Sequence, residues 1–309
     1  MTLIATAADP IPEGAVVEWV AAPDGTRLRV ARWCPAAATR GTVVLLNGRS
    51  EFIEKYFEII RALLSRGFAV ATLDWRGQGL SDRALPNRHK GHVEHFDLYV
   101  SDLRQIIETV VRPSCGPPYH AVCHSMGGNI GLRYLGVHAD TFSSALFSAP
   151  MWGIGKAARA TALLRTVSFV TRALGLGSRY VPGAGGDWAP GAYPFEENTL
   201  TSDRDRFDRA NTQLEEEPRL ALGGPTLGWV TQAVASMDVV HGPGFPEAIE
   251  LPVSVFSATD DALVSLAAQH QIAARLPNAK HVVVEGARHE LMMEVDAHRD
   301  RILAAFDEL

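Results

Sequence analysis

A serine stands among small and polar neighbours in Cys123-His124-Ser125-Met126-Gly127-Gly128, directly after a strand-like run and before a helix-like one. On a sharp strand-to-helix turn a serine hydroxyl is pushed out at the carboxyl end of a sheet, and small neighbours relieve the crowding there. The backbone N–H of Met126, at the start of the helix, could donate to a developing oxyanion with help from the helix dipole. The pattern expected of such a turn is Gly-x-Ser-x-Gly; Cys123 replaces the first glycine and is small enough to keep the turn plausible. A serine attacks well only when a base takes its proton and a third group orients that base. Eleven histidines compete for the first role. For the second, the adjacent Asp260 and Asp261 follow a strand-like run at Val253 to Ser257.

These side chains need a frame, and the chain supplies the material for one. Its 309 residues are 47% hydrophobic and 21% charged, which excludes a disordered or fibrous chain. At about 150 residues per domain the length allows one large domain or two modest ones. A net charge of −6 argues against nucleic acid as the main partner. No apolar run approaches the roughly 18 residues that span a bilayer, and the start MTLIATAADPIPEG does not read as a secretory signal. Cys34, Cys115 and Cys123 are too few and too scattered for a disulfide framework or a zinc site. The expectation is a cytoplasmic protein with a sizeable core.

Strand-like and helix-like segments alternate through the first half. Val16 to Val20 and Leu28 to Trp33 flank Asp24-Gly25, a pair that favours a hairpin turn. Thr42 to Leu46 and Ala69 to Leu73 are continuous apolar runs, as in strands covered on both faces. Between them Phe52, Tyr56, Ile59, Ile60, Leu63 and Leu64 repeat at helical spacing, with Gly67 just past the end. Phe96, Val100, Leu103, Ile107 and Val110 form a second stripe, closed by Pro113. Tyr119 to Cys123 and Ser144 to Phe147 read as the next strands. This alternation implies an α/β protein with a mostly parallel sheet. From Met151 to about Phe245 strand signals vanish, and an amphipathic stretch runs through Ala160, Leu163, Leu164, Val167, Val170 and Leu174. They return at Val253 to Ser257 and His281 to Glu285. The expected division is a core at 1–150 and 246–309 with a helical insertion at 151–245.

The serine turn resembles the nucleophile elbow of the α/β-hydrolases, and flanking segments resemble the lysophospholipase and monoacylglycerol-lipase branch of that superfamily. Asp74-Trp75-Arg76-Gly77-Gln78-Gly79-Leu80-Ser81 looks like its Asp-x-Arg-Gly-x-Gly-x-Ser loop, and Gly91-His92-Val93 with Phe96 looks like the family's next segment. The likeness covers roughly residues 41–150 and 246–296. It implies an α/β-hydrolase fold with an inserted helical cap and a triad in the order Ser, Asp, His. His289, in Glu285-Gly286-Ala287-Arg288-His289-Glu290-Leu291 after the last strand, resembles the catalytic-histidine loop. His270, His281 and His298 read as structural or solvent-exposed. Asp261 is favoured over Asp260, because Ala262-Leu263-Val264 matches the usual continuation; Asp260 reads as a turn-former. Asn47-Gly48-Arg49-Ser50-Glu51 resembles the oxyanion loop, with Asn47 where histidine is usual. The backbone N–H of Arg49 would then join that of Met126 in the oxyanion hole.

The resemblance implies lysophospholipids or monoacylglycerols as substrates, cleaved through an acyl-enzyme with no metal or organic cofactor. Rivals are the same triad acting on a peptide, lactone or carbon–carbon bond, and a non-catalytic ligand-binding protein. Gly77-Gln78-Gly79 is no phosphate loop, lacking the third glycine and the helix start. The Glu215 to Glu217 run reads as a solvated face. Lys156, Arg159, Arg165, Arg172 and Arg179 are read chiefly as exposed charge, with attraction of an anionic head group as the alternative. Trp152, Trp188 and Trp229 suit an acyl pocket or a plain core equally. Peripheral contact with the inner face of a membrane is compatible with such substrates; the oligomeric state is not readable.

Overall fold

The computed structural model describes residues 3–155 and 175–309. Two strands, β1 (Val16–Ala21) and β2 (Arg27–Trp33), form an antiparallel hairpin. Its turn places Gly25 at φ 84°, which glycine adopts without strain, and Asp24 Oδ1 accepts from the N–H of Thr26 at 3.0 Å. The hairpin adds to β4 (Ala69–Leu73), beside which lies β3 (Thr42–Leu46). Every residue of β3 and β4 is buried, as continuous apolar runs require of strands covered on both faces. Beyond β3 come β5 (Tyr119–His124), β6 (Ser144–Ser148), β7 (Val253–Ala258) and β8 (Ala279–Val284). The eight strands are ordered β1-β2-β4-β3-β5-β6-β7-β8, and all pairs from β4 onward are parallel.

This order reverses direction at β3, which lies between β4 and β5. In open α/β sheets such a reversal leaves a crevice at the carboxyl ends of the strands. The register pairs Leu46, the last residue of β3, with Cys123 of β5. The next segments of each chain stretch, 47–51 and 125–128, therefore leave the sheet side by side.

Helices pack against this sheet. A 3-10 turn at Ile53–Tyr56 leads into α1 (Phe57–Leu64), which ends before Gly67 at φ 84°. The second stripe forms α2 (Asp97–Ile106), but Pro113 does not close it: a π turn at Ile107–Val111 and a last helical turn at Arg112–Ser114 follow. Proline removes the N–H that would bond four residues back, and the π turn accommodates that loss. α3 (Ser125–Val137) follows β5 directly.

Between β6 and β7 the described residues hold α4 (Arg204–Glu216), α5 (Leu227–Val240), short 3-10 turns and isolated bridges, with no longer strand. The amphipathic stretch from Ala160 to Leu174, with Lys156, Arg159, Arg165 and Arg172, lies outside the described residues. Arg179 is exposed; Trp152 and Trp229 are buried and Trp188 half-buried. The chain closes with α6 (Leu266–Ala273) and α7 (Asp296–Ala305) around β8. Among the described residues no helix is long and apolar enough to cross a membrane.

The cysteines require a correction. Cys34 and Cys115, 81 residues apart, form a disulfide with their Cα atoms at 5.5 Å, while Cys123 is free and buried. β2 runs antiparallel to β4, so its end reaches the edge of the sheet where the parallel strands begin. Cys115 arrives at that same edge, four residues before β5. Scatter along the chain says nothing of distance once a sheet brings such ends together.

Candidate active site

Ser125 sits where β5 passes into α3. His124 is extended at φ −115°, and Ser125 turns to φ 49°, a left-handed conformation that costs a non-glycine residue about 1–3 kcal/mol. The surroundings impose it. A Cβ at Gly127 would lie 2.2 Å from the carbonyl oxygen of Leu46, and one at Gly131 would lie 2.7 Å from Cys123 Sγ. The absent side chains let α3 approach β3, and Cys123 Sγ fills the space that Gly131 leaves.

The structure brings Ser125, Asp261 and His289 together from the ends of three strands. His289 Nε2 lies 2.9 Å from Ser125 Oγ, and His289 Nδ1 lies 2.7 Å from Asp261 Oδ2. A carboxylate facing Nδ1 selects the tautomer with its proton there, leaving Nε2 free to accept from the serine. Asp261 is itself fixed, since its Oδ1 accepts from the N–H groups of Leu263 at 2.8 Å and Val264 at 3.0 Å. Burial pushes this carboxyl up, but the bond and charge of His289 and the two N–H groups outweigh burial and hold it below its usual range. The loops are laced to each other: Gly286 N–H donates to Thr259 Oγ1 at 2.8 Å, and Asp260 N–H to the carbonyl of Ala287 at 3.0 Å. Asp260 itself is exposed.

Two backbone N–H groups stand where these loops leave the sheet. Met126 N–H, in the first turn of α3, has no intrahelical acceptor. Arg49 N–H has no acceptor among the described residues. Asn47, in the usual place of a histidine, donates through Nδ2 to the carbonyl of Leu73 at 2.7 Å and ties the ends of β3 and β4. Gln78 anchors the loop from outside: its Nε2 donates to the carbonyl of Gly48 at 2.8 Å, and its Oε1 accepts from Ser50 N–H at 3.3 Å. The 74–81 loop that carries Gln78 is folded over Asp74, where a Cβ at Gly79 would lie 2.1 Å from Asp74 Cγ.

Sequence reasoning missed a buried charge cluster beneath these loops. Glu51 Oε2 accepts from Gly48 N–H and from Tyr56 OH, and Glu51 Oε1 lies 3.0 Å from Lys55 Nζ. Lys55 also meets Glu290 Oε1 at 2.5 Å. The cluster thus joins the loop after β3 to the residue following His289. Burial raises both carboxyls; Lys55, His124 and Tyr56 outweigh it at Glu51 and hold that group well below its usual range, whereas Glu290 stays raised. The His124 ring packs 4.8 Å from that of His289, and burial pushes its pKa down to about 4. It therefore adds no second positive charge behind His289 at neutral pH. The available signal was charged residues beside both motifs.

Comparison with known proteins converges on one group. Residues 37–296 match the family described as serine aminopeptidase, S33. The chain is 32% identical over 280 residues to lysophospholipase L2 of Escherichia coli, covering 85% of this chain and 78% of that one. A solved structure of monoglyceride lipase from Saccharomyces cerevisiae superposes with a TM-score of 0.73 at 19% identity, covering 95% of this chain and 94% of that chain. A carboxyl esterase from Bacillus coagulans gives a TM-score of 0.77 at 18% identity, covering 96% and 98%.

Proposed function

The chain belongs to the serine aminopeptidase S33 family of α/β-hydrolases, and from that premise we propose that it is a serine hydrolase of lipid-like carboxylic esters, with lysophospholipids or monoacylglycerols as substrates. The observation that carries the reading is the unbroken relay from Asp261 through His289 to Ser125, at 2.7 and 2.9 Å.

In this reading His289 Nε2 takes the hydroxyl proton as Ser125 Oγ bonds to the acyl carbon. The negative charge that develops on the carbonyl oxygen is met by Met126 N–H and Arg49 N–H; one such donor typically contributes 10²–10³ in kcat, about 3 kcal/mol. The imidazolium returns its proton to the departing alkoxide, the ester C–O bond breaks, and the acyl group stays on Ser125. Water then gives a proton to His289 and attacks the acyl carbon, releasing the fatty acid and restoring the serine. Asp261 remains ionised and stabilises the imidazolium. No step calls on a metal or organic cofactor. The insertion at 151–245 would act as a cap over the acyl chain. Lysophospholipase L2, similar over most of its length, supports the lipid-ester substrate.

A fluorophosphonate probe should label the wild-type protein, and Ser125→Ala should abolish labelling; an unlabelled, folded wild type overturns the reading in favour of a binding protein. The family's description favours a second substrate class, aminoacyl amides. A hydrolysis panel of lysophospholipids, monoacylglycerols, short p-nitrophenyl esters and aminoacyl amides separates them. Turnover of the amides alone would refute the ester assignment.

A further inference from the structure

Among the described residues no carboxylate meets the guanidinium of Arg49, which lies beneath the 219–229 stretch. Its Nη2 donates to the carbonyl of Gly223 at 2.6 Å and its Nη1 to Ser50 Oγ at 3.0 Å, while Nε is buried without an acceptor. The guanidinium lies 5.2 Å from the centre of the Trp229 ring. Gly91 makes the room, since a Cβ there would come within 2.5 Å of Nη2. Burial pushes this guanidinium down to about 10, and only the phenols of Tyr99, Tyr180 and Tyr193 oppose it. The stretch 156–174 contains no Asp or Glu in its sequence, so it supplies no carboxylate either.

Arg83, Arg88 and His89 line the same edge. Arg88 Nη2 donates to the carbonyl of Arg219 at 2.8 Å, and Arg83 Nη2 lies 3.4 Å from the carbonyls of Arg219 and Ala221. The carbonyl of His89 accepts from Gly223 N–H at 2.8 Å. Arg83 Nη1, Arg88 Nε and His89 Nδ1 are, like Arg49 Nε, buried without a partner. Of the nearby acids, Asp82 pairs with Arg27 and Glu217 with Arg219, both also within the field of Arg88, and Asp187 accepts from Tyr180 and Asn87 beside His89; none of them reaches Arg49. A cation held largely out of water without counter-charge, as Arg49 is, costs stability and offers a seat for an anion, and the donors of Arg83, Arg88 and His89 beside it can add to that seat.

The geometry points to this cluster, headed by Arg49, as the binding site for the phosphodiester of a lysophospholipid whose acyl carbonyl lies at Ser125. The inference rests on the ester-hydrolase reading above and deepens it. In that reading Arg49 serves twice, its N–H at the oxyanion and its side chain at the head group. In a lysophospholipid the phosphate is one glycerol unit from the scissile ester, within the compass of one extended arginine side chain. The planar guanidinium fork suits phosphate oxygens, and the bond is charge-assisted. A monoacylglycerol would leave the cation unmatched, so the cluster sets a preference between the two substrates.

The test measures kcat/KM for a lysophosphatidylcholine and for the monoacylglycerol of the same acyl chain. Arg49→Met should lower the ratio of the two by about 10- to 100-fold, whatever loss both share. An unchanged ratio overturns the proposal. A purely structural role of Arg49 would depress both substrates alike. Calorimetric titration of the wild-type protein with glycerophosphocholine, glycerol and inorganic phosphate keeps the question decidable if the variant does not fold, or if neither lipid is hydrolysed. Binding of glycerophosphocholine well above that of glycerol and of inorganic phosphate supports the head-group site. Equal binding of inorganic phosphate marks a site for the free anion and overturns it, as does no binding at all.

Discussion

Asp260 and Asp261 are neighbours in the chain and differ wholly in surroundings. Asp261 is clasped by two N–H groups and the His289 ring with its side chain 3% exposed, whereas Asp260 faces solvent. Asp261→Asn should therefore reverse the favoured histidine tautomer and lower kcat by about 10⁴-fold. Asp260→Asn, assayed on the same ester, should stay within about twofold of wild type, as exposed substitutions away from a site usually do. Comparable losses in both would mean that the carboxylates exchange roles. Ser125 and His289 were legible because each lies in a short local pattern at a strand end. Glu51, Lys55 and Glu290 were not, because their meaning arises only when they meet, Lys55 and Glu290 being 235 residues apart. The Arg49 side chain was invisible for the same reason: the Gly223 carbonyl and the Trp229 ring that hold it lie more than 170 residues away.

At the scale of elements, alternating apolar runs carried most of the information. Strands buried on both faces can be recognised from composition alone, and β3 and β4 fall where their runs do. β8 begins at Ala279, earlier than its apolar core suggests, because Ala279 and Lys280 pair with Val253 and Ser254 of β7 and that pairing sets the start. The attachment of α4 was not legible, since it depends on charges from three parts of the chain. Glu58 on α1 meets Arg206 at 3.0 Å and Arg209 at 2.8 Å on α4, and Arg299 on α7 at 2.9 Å. Burial raises the Glu58 carboxyl, but these arginines outweigh it and bring it down to about 2. A carboxyl depressed on folding stabilises the native state at pH values above its unfolded value, and that contribution is lost as pH falls through the folded one. Glu58→Gln should cost about 2 kcal/mol at pH 7. Thermal melts should show the deficit shrinking from about pH 4.5 downward and vanishing near pH 2. A deficit constant over that range would mean that Glu58 acts through packing, not charge. Backbone contact governs α3 instead: Gly127→Ala must displace either Leu46 or the helix, and should cost about 1–3 kcal/mol with loss of fluorophosphonate labelling.

For the whole molecule, the sheet separates two rims with different duties. The carboxyl rim gathers Ser125, Asp261, His289 and the Arg49 loop, while the opposite rim carries the Cys34–Cys115 bridge. Disulfides form in oxidising compartments and are rare in the cytosol, so the compartment decides whether this bridge is closed. In protein purified without reductant and then unfolded, one thiol should titrate, that of Cys123, rising to three after reduction. Three thiols before reduction would show the bridge open. A bridge across 81 residues restrains the unfolded chain chiefly, typically by about 2–4 kcal/mol. At about 2 °C per kcal/mol for a chain of this size, Cys34→Ser with Cys115→Ser should lower the melting temperature by roughly 4–8 °C. Ester hydrolysis at 25 °C should stay near wild type, because the bridge touches none of the loops around Ser125. A fall in activity without a fall in melting temperature would mean that the two rims are coupled through the sheet, and that stability and catalysis are not divided between its ends.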